Sequence, residues 1–191
     1  DPGIAPELPA KTERDVVVPL TAEQVTLYKA TTAQVLLDLK DNDGLARHGL
    51  VLKLLTALKQ ITNHPAHYLR ELGPLDGRSG KLDALETIID NALDAGESTL
   101  IFTQYVAMAN LIHAHLTSRG DQAEILHGGL TSAKRQDLVD RFQAGDLKVM
   151  VLSLKAGGTG LNLTAATQVV HYDRWWNPAV EDQATDRAYR I

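Results

Sequence analysis

The chain has 191 residues, 44% hydrophobic and 23% charged, with a formal net charge of −5 and no cysteine. That is the balance of a globular protein with one core of ordinary size and an appendage. It excludes a disulfide framework and a thiolate metal site, and it gives no global attraction to nucleic acid, so any such contact needs a local basic patch.

No apolar run reaches the roughly 18–20 residues of a membrane span. The opening "DPGIAPELPAKTERD" carries no basic-then-apolar signal and reads as an internal stretch of a longer protein. "DVVVPL" predicts a short strand. In "LTAEQVTLYKATTAQVLLDLK", Thr21 and Gln24 have capping-box spacing and open an amphipathic helix. "DNDGL" breaks it, and "LARHGLVLKLLTALKQITNHP" predicts a second helix ended by His64-Pro65. "RELGPLDGRSG" is a Gly/Pro linker. From Lys81 the rhythm changes to short β-rich runs ("STLIFT", "AEILHG", "LKVMVLS", "TQVVHY") alternating with helical segments, the cadence of βα units on a parallel sheet. Function in such sheets sits in the loops beyond the strand carboxyl ends, here the loops after Phe102, Leu126, Leu152 and His171.

Those loops hold the polar chemistry. Thr103 and Gln104 follow the first strand, as an N-cap with an exposed amide or as ligand contacts. "LHGGLTSAKR" offers a tight turn, a cap from Thr131 or Ser132, and Lys134 and Arg135. "VLSLKAGGTGLNL" clusters glycines at 157, 158 and 160 beside Ser153, Lys155, Thr159 and Asn162, a backbone whose N–H groups can cradle phosphate. It is not a Walker A loop, and neither is "GRSGKL" at 77–82, because Leu82 stands at the Ser/Thr position. The adjacent Trp175 and Trp176 are read as packing the next helix onto the sheet, with base stacking as the alternative. That helix begins with Asn177 as N-cap, Pro178 at the first position, and Glu181 and Asp182 at the positive dipole end. Gln183, Arg187 and Arg190 stand at i, i+4 and i+7, one stripe suited to an anion.

In order, "LKQITNHP", "SGKLDAL", "LIFTQY", "LHGGLTSAKRQDLVDRF", "VMVLSLKAGGTGLNLTAATQVVHYDRWWNP" and "EDQATDRAYRI" closely resemble the carboxyl-terminal helicase lobe of SWI/SNF-type ATPases of helicase superfamily two. The resemblance spans nearly the whole chain and is most specific over 149–191. It departs from the family wording at "LKQITNHP", where a cysteine is usual. A cysteine-free chain with a compact insertion points to a prokaryotic relative, cytoplasmic and nucleoid-associated; a eukaryotic one would be nuclear.

The resemblance implies an α/β fold, a RecA-like parallel sheet flanked by helices with an N-terminal helical protrusion. Residues 1–20 would connect from a first lobe and hold the short strand, 21–78 would be the protrusion and linker, and 79–191 the second lobe, ending inside motif VI. It implies ATP with Mg²⁺ held mainly by the amino-terminal lobe, whose Walker A lysine and acidic box do not occur in this chain. Arg187 and Arg190 would be arginine fingers, with Gln183 in their motif, and Gly158 and Gly160 would join the nucleotide site. Thr103, Gln104, Lys155, Gly157, Thr159 and Asn162 would contact the phosphates of duplex DNA. The implied function is a double-stranded DNA translocase lobe, inactive alone, whose partners are duplex DNA, the first lobe and a DNA-bound protein, with no metal ligand of its own and no membrane contact. The alternatives are a strand-separating DNA or RNA helicase and a non-catalytic interaction module.

Overall fold

The structure is a computed structural model that describes residues 10–153, 161–186 and 188. Its first elements are two long helices, α1 (Ala22–Asp38) and α2 (Gly44–Asn63), packed as a hairpin. Both halves of the capping box form at the start of α1: the Gln24 N–H donates to Thr21 Oγ1 at 3.2 Å, and the Thr21 N–H to Gln24 Oε1 at 3.0 Å. Gln24 also works at its other end. Its buried Nε2 donates to the Ile61 and Thr62 carbonyls, satisfying two groups in the last turn of α2. A short helix, α3 (Pro65–Leu69), follows at once. His64 joins the two: its Nδ1 accepts from the Ala66 N–H as the N-cap of α3, while Nε2–H donates to the Leu75 carbonyl and ties down the linker. Burial holds this imidazole below its ordinary pKa, consistent with the neutral tautomer.

Among the described residues the sheet has four parallel strands in the order β2-β3-β1-β4, from β1 (Thr99–Thr103), β2 (Ala123–Leu126), β3 (Val149–Ser153) and β4 (Gln168–His171). Side chains alternate between its two faces. Ile101, Val149 and Val151 join the layer under α4 (Gly80–Asp94) and α5 (Val106–Ser118). Leu100, Phe102, Met150 and Leu152 join the layer under α6 (Ser132–Ala144) and α7 (Pro178–Thr185). Helix α4 shows why it docks: Leu82, Leu85, Ile89 and Ala92 fall on one face, and all are buried. This is the parallel sheet that the βα cadence predicts and the RecA-like fold that the resemblance implies.

"DVVVPL" differs from its reading. It forms no strand, and Val17 is 93% exposed. A β-branched run favours extended backbone, but a strand also needs a neighbour to pair with. This segment instead lays Val18 and Pro19 across Gly80, so closely that a methyl group on Gly80 would run into the Pro19 carbonyl oxygen. Alanine near a helix start ordinarily gains up to about 1 kcal/mol over glycine. Here Gly80→Ala is expected to lose roughly 1–3 kcal/mol by overpacking, read as a lower urea midpoint; an unchanged or raised midpoint would show that the segment simply yields.

Candidate nucleic-acid and nucleotide interface

The carboxyl ends of β1 and β4 meet the end of α2 and the start of α4 around one carboxylate. Asp173, two residues past β4, is 2% exposed. One of its oxygens accepts from the Gln104 N–H at 2.9 Å; the other accepts from Asn63 Nδ2 at 3.1 Å and from the Thr103 hydroxyl. Asn63 in turn accepts from Lys81 Nζ at 2.9 Å through Oδ1. The Asn63 carbonyl takes the Ser79 and Tyr172 hydroxyls, both at 2.7 Å. Burial lowers the pKa of Lys81 and the Asp173 carboxylate opposes that shift. A buried charge survives only with such partners.

Just outside this knot lies a more open group. The Arg174 carbonyl accepts from Gln104 Nε2 and from Lys59 Nζ, each at 2.6 Å. The same Lys59 ammonium sits 4.6 Å from the Trp176 ring centroid, a cation–π contact, and Trp176 is 70% exposed. The two tryptophans therefore divide. Trp175 is half-buried, its backbone N–H held by Glu181, while Trp176 stands out to solvent over a lysine. Arg174 closes the loop onto α7 through Glu181 at 3.0 Å. Nearby, His67 is buried against the edge of Tyr105, with ring centroids 4.8 Å apart, and burial depresses its pKa to about 4.

Helix α7 starts as its sequence predicts, with the Ala179 N–H donating to Asn177 Oδ1 at 3.0 Å and Pro178 at the first turn, but the described helix ends at Thr185, so of the predicted stripe it carries Gln183 alone. Ala184 is buried in the core while Gln183 is exposed, so the Gln183 face of α7 points away from the lobe. Gln104 is half-buried and Asn162 exposed, both available at the surface. Thr103 is not. Its side chain is fully buried and its hydroxyl is committed to Asp173, so in this structure it orders the loop rather than facing solvent. Lys155, Gly157, Gly158, Thr159, Gly160, Arg187 and Arg190 lie outside the described residues. Sequence reasoning gave Asn63, Lys81, Lys59 and Asp173 no place in the site. The available signal was an acid directly after an apolar strand and an Asn-His-Pro at a helix junction.

Residues 80–191 match the helicase conserved C-terminal domain family. Over its whole length the chain is 47% identical to YwqA of Bacillus subtilis (strain 168), named as an ATP-dependent helicase/translocase, and covers 21% of that protein. The Sulfolobus solfataricus SWI2/SNF2 ATPase core domain superposes with a TM-score of 0.83 at 41% identity, over all of this chain and 39% of that one. This chain is a SWI/SNF-type helicase C lobe. It thus belongs to superfamily two, in the branch that its "WWNP" loop and terminal helix resemble. A further solved neighbour is the same Sulfolobus core in complex with dsDNA, with TM-score 0.80 and 40% identity, covering 91% of this chain and 36% of that one. The lobe spans about a fifth of the length of the curated relatives it matches. None of its described helices is long and apolar enough to cross a membrane.

Proposed function

We propose that this lobe is the second motor half of an ATP-dependent double-stranded DNA translocase, completed by an amino-terminal RecA-like lobe. The observation that carries the reading is the gathering of Gln104, Lys59 and Trp176 at the carboxyl ends of β1 and β4, the edge at which open α/β sheets bind ligands. Gln104 and Asn162, with Lys155, Gly157 and Thr159, contact the phosphates of one DNA strand, and Thr103 supports that loop from beneath. Such contacts position the protein without reading sequence, and they weaken with salt. A few suffice when a first lobe adds its own, which reconciles DNA binding with the net charge of −5. The dsDNA complex of a neighbour at 40% identity supports duplex as the track.

ATP with Mg²⁺ is the fuel, its triphosphate and metal held mainly by the first lobe. This lobe fits the other side of that cleft. Helix α7 is seated by Ala184 and by His171 Nε2 against Thr185 Oγ1 at 2.9 Å, while Gln183 faces outward, as a group completing a site on another lobe must. Arg187 and Arg190 follow in the sequence as fingers, Gly158 and Gly160 approach the nucleotide, and the planar guanidinium forks pair with the γ-phosphate and offset its developing charge. Alternating closure of the two lobes then moves the grip along the backbone. The lobe alone does not turn over ATP, and a DNA-bound protein is the cargo displaced.

The test is ATP turnover by the full-length protein with no nucleic acid, single strands, RNA or duplex DNA. Duplex is expected to stimulate most. Stimulation confined to single strands or RNA would replace this reading with that of a strand-separating helicase, and no turnover at all with that of an interaction module.

A further inference from the structure

We propose that Asp173 is a positioning residue for DNA engagement, acting through a Lys81–Asn63–Asp173 relay, buried at Asn63 and Asp173, that locks the helical extension to the two loops at the site. This rests on the translocase reading above. The geometry is specific. The Asn63 amide is oriented by opposite charges at its two ends, its oxygen toward the Lys81 ammonium (2.9 Å) and its nitrogen toward the Asp173 carboxylate (3.1 Å). An amide so placed has one productive orientation, since a flip would set donor against donor and acceptor against acceptor. Asp173 spends its remaining acceptor capacity on the Gln104 N–H and the Thr103 hydroxyl. The first fixes the backbone from which the Gln104 side chain reaches the Arg174 carbonyl, where Lys59 of α2 also arrives. One buried carboxylate thus sets the Gln104 loop, the Arg174 carbonyl and, through Lys59, the ground on which Trp176 stands.

The three groups come from three separate parts of the fold: Asn63 ends α2, Lys81 lies in the first turn of α4, and Asp173 follows β4. Serving stability alone, such a buried polar relay gains little over an apolar core. It does hold an interface in one arrangement, so that DNA meets preordered contacts and bears no cost of ordering them.

Exchanging the two side chains tests this. In the full-length protein, Asp173→Asn puts an amide against the Asn63 amide, and the duplex concentration for half-maximal ATPase is expected to rise about tenfold. The KM for ATP and the turnover at saturating duplex should change less than about twofold. The Asn63→Asp change alone sets two carboxylates against each other and should do at least as much harm. The double swap Asn63→Asp/Asp173→Asn restores one carboxylate, now beside Lys81, and one amide able to donate to it while still accepting from Gln104. It is expected to recover the duplex response to within about threefold.

Amide hydrogen exchange read on peptides covering 103–106 and 172–177 gives a measure independent of DNA: faster by about tenfold in either single variant, and normal in the swap. Wild-type duplex response and exchange in Asp173→Asn would overturn the proposal, as would a double variant no better than the singles. Should the single variants unfold, the isosteric double variant still decides by recovery or its absence. If duplex fails to stimulate even the unmodified protein, the translocase reading falls, while the exchange data still decide whether Asp173 orders the two loops.

Discussion

Arg190→Ala is expected to lower the duplex-stimulated ATP turnover of the full-length protein by about 10³-fold or more, the range over which an arginine finger acts. The loss belongs in kcat, because a finger pairs with charge that develops during phosphoryl transfer, and the KM for ATP should move little. Arg190→Lys is expected to recover only a small part: a lysine keeps the charge but lacks the planar fork that engages two phosphate oxygens at once. Arg187→Ala should behave alike. Gln183→Ala, which removes a neutral amide from the exposed face of α7, should cost far less. Duplex affinity measured without hydrolysis should stay within about twofold in all of them, since the proposed base-independent DNA contacts lie in other loops. Turnover within tenfold of wild type in both arginine variants would sink the finger assignment and favour a lobe whose motifs serve only to bind.

What the sequence revealed, and what it hid, follows from the range of the interactions concerned. The helix starts were legible because caps are local: Thr21 with Gln24, and Asn177 before Pro178, are chemistry within four residues, and each is realised. The sheet was legible because short apolar β-rich runs alternate with helical segments along the chain, and the two central strands are buried throughout. "DVVVPL" was misread because propensity was taken without its partner; nothing local states that Pro19 will lie on Gly80, 61 positions away. Helix α3 was hidden inside "NHPAHYL", whose Pro65 was read as a stop. It does end α2, and it also serves as the first residue of the next helix.

The candidate site divides in the same way. Gln104 was legible from its place after a strand. Thr103, one residue earlier, was offered as an N-cap or a ligand contact, and only the fold shows its hydroxyl turned inward to Asp173. The Asp173 knot joins positions 63, 81, 103 and 173. Each looks ordinary alone, because a buried charge is recognised by what surrounds it. The family wording carried these residues as text, in "NHP", "GKL" and "HYDRWWNP", without stating their work.

Phe102→Ala should damage function as well as stability. Phe102 is fully buried in the core layer under α6 and α7, and truncating such a phenylalanine costs about 3–5 kcal/mol. Against a total of roughly 5–15 kcal/mol for a domain, that is a large share. Its position adds a second effect. The ring stacks on His171, with centroids 5.5 Å apart and planes 19° from parallel. Burial keeps His171 below its ordinary pKa, which favours the neutral ring. Its Nε2–H donates to Thr185 Oγ1, whose own proton goes to the Glu181 carbonyl within α7. Phe102, His171 and Thr185 thus form the seat of the helix that leads to the arginines. A cavity beneath His171 should loosen that seat before the lobe unfolds. The natural comparison is Phe142→Ala, fully buried in the same layer but on α6. Both variants should lower the urea midpoint by comparable amounts, and at temperatures well below either transition only Phe102→Ala should cut kcat, by about tenfold or more if α7 has lost its registration. Equal kcat losses in the two variants would show that α7 takes its position from the lobe as a whole, and that the stacked histidine is packing alone.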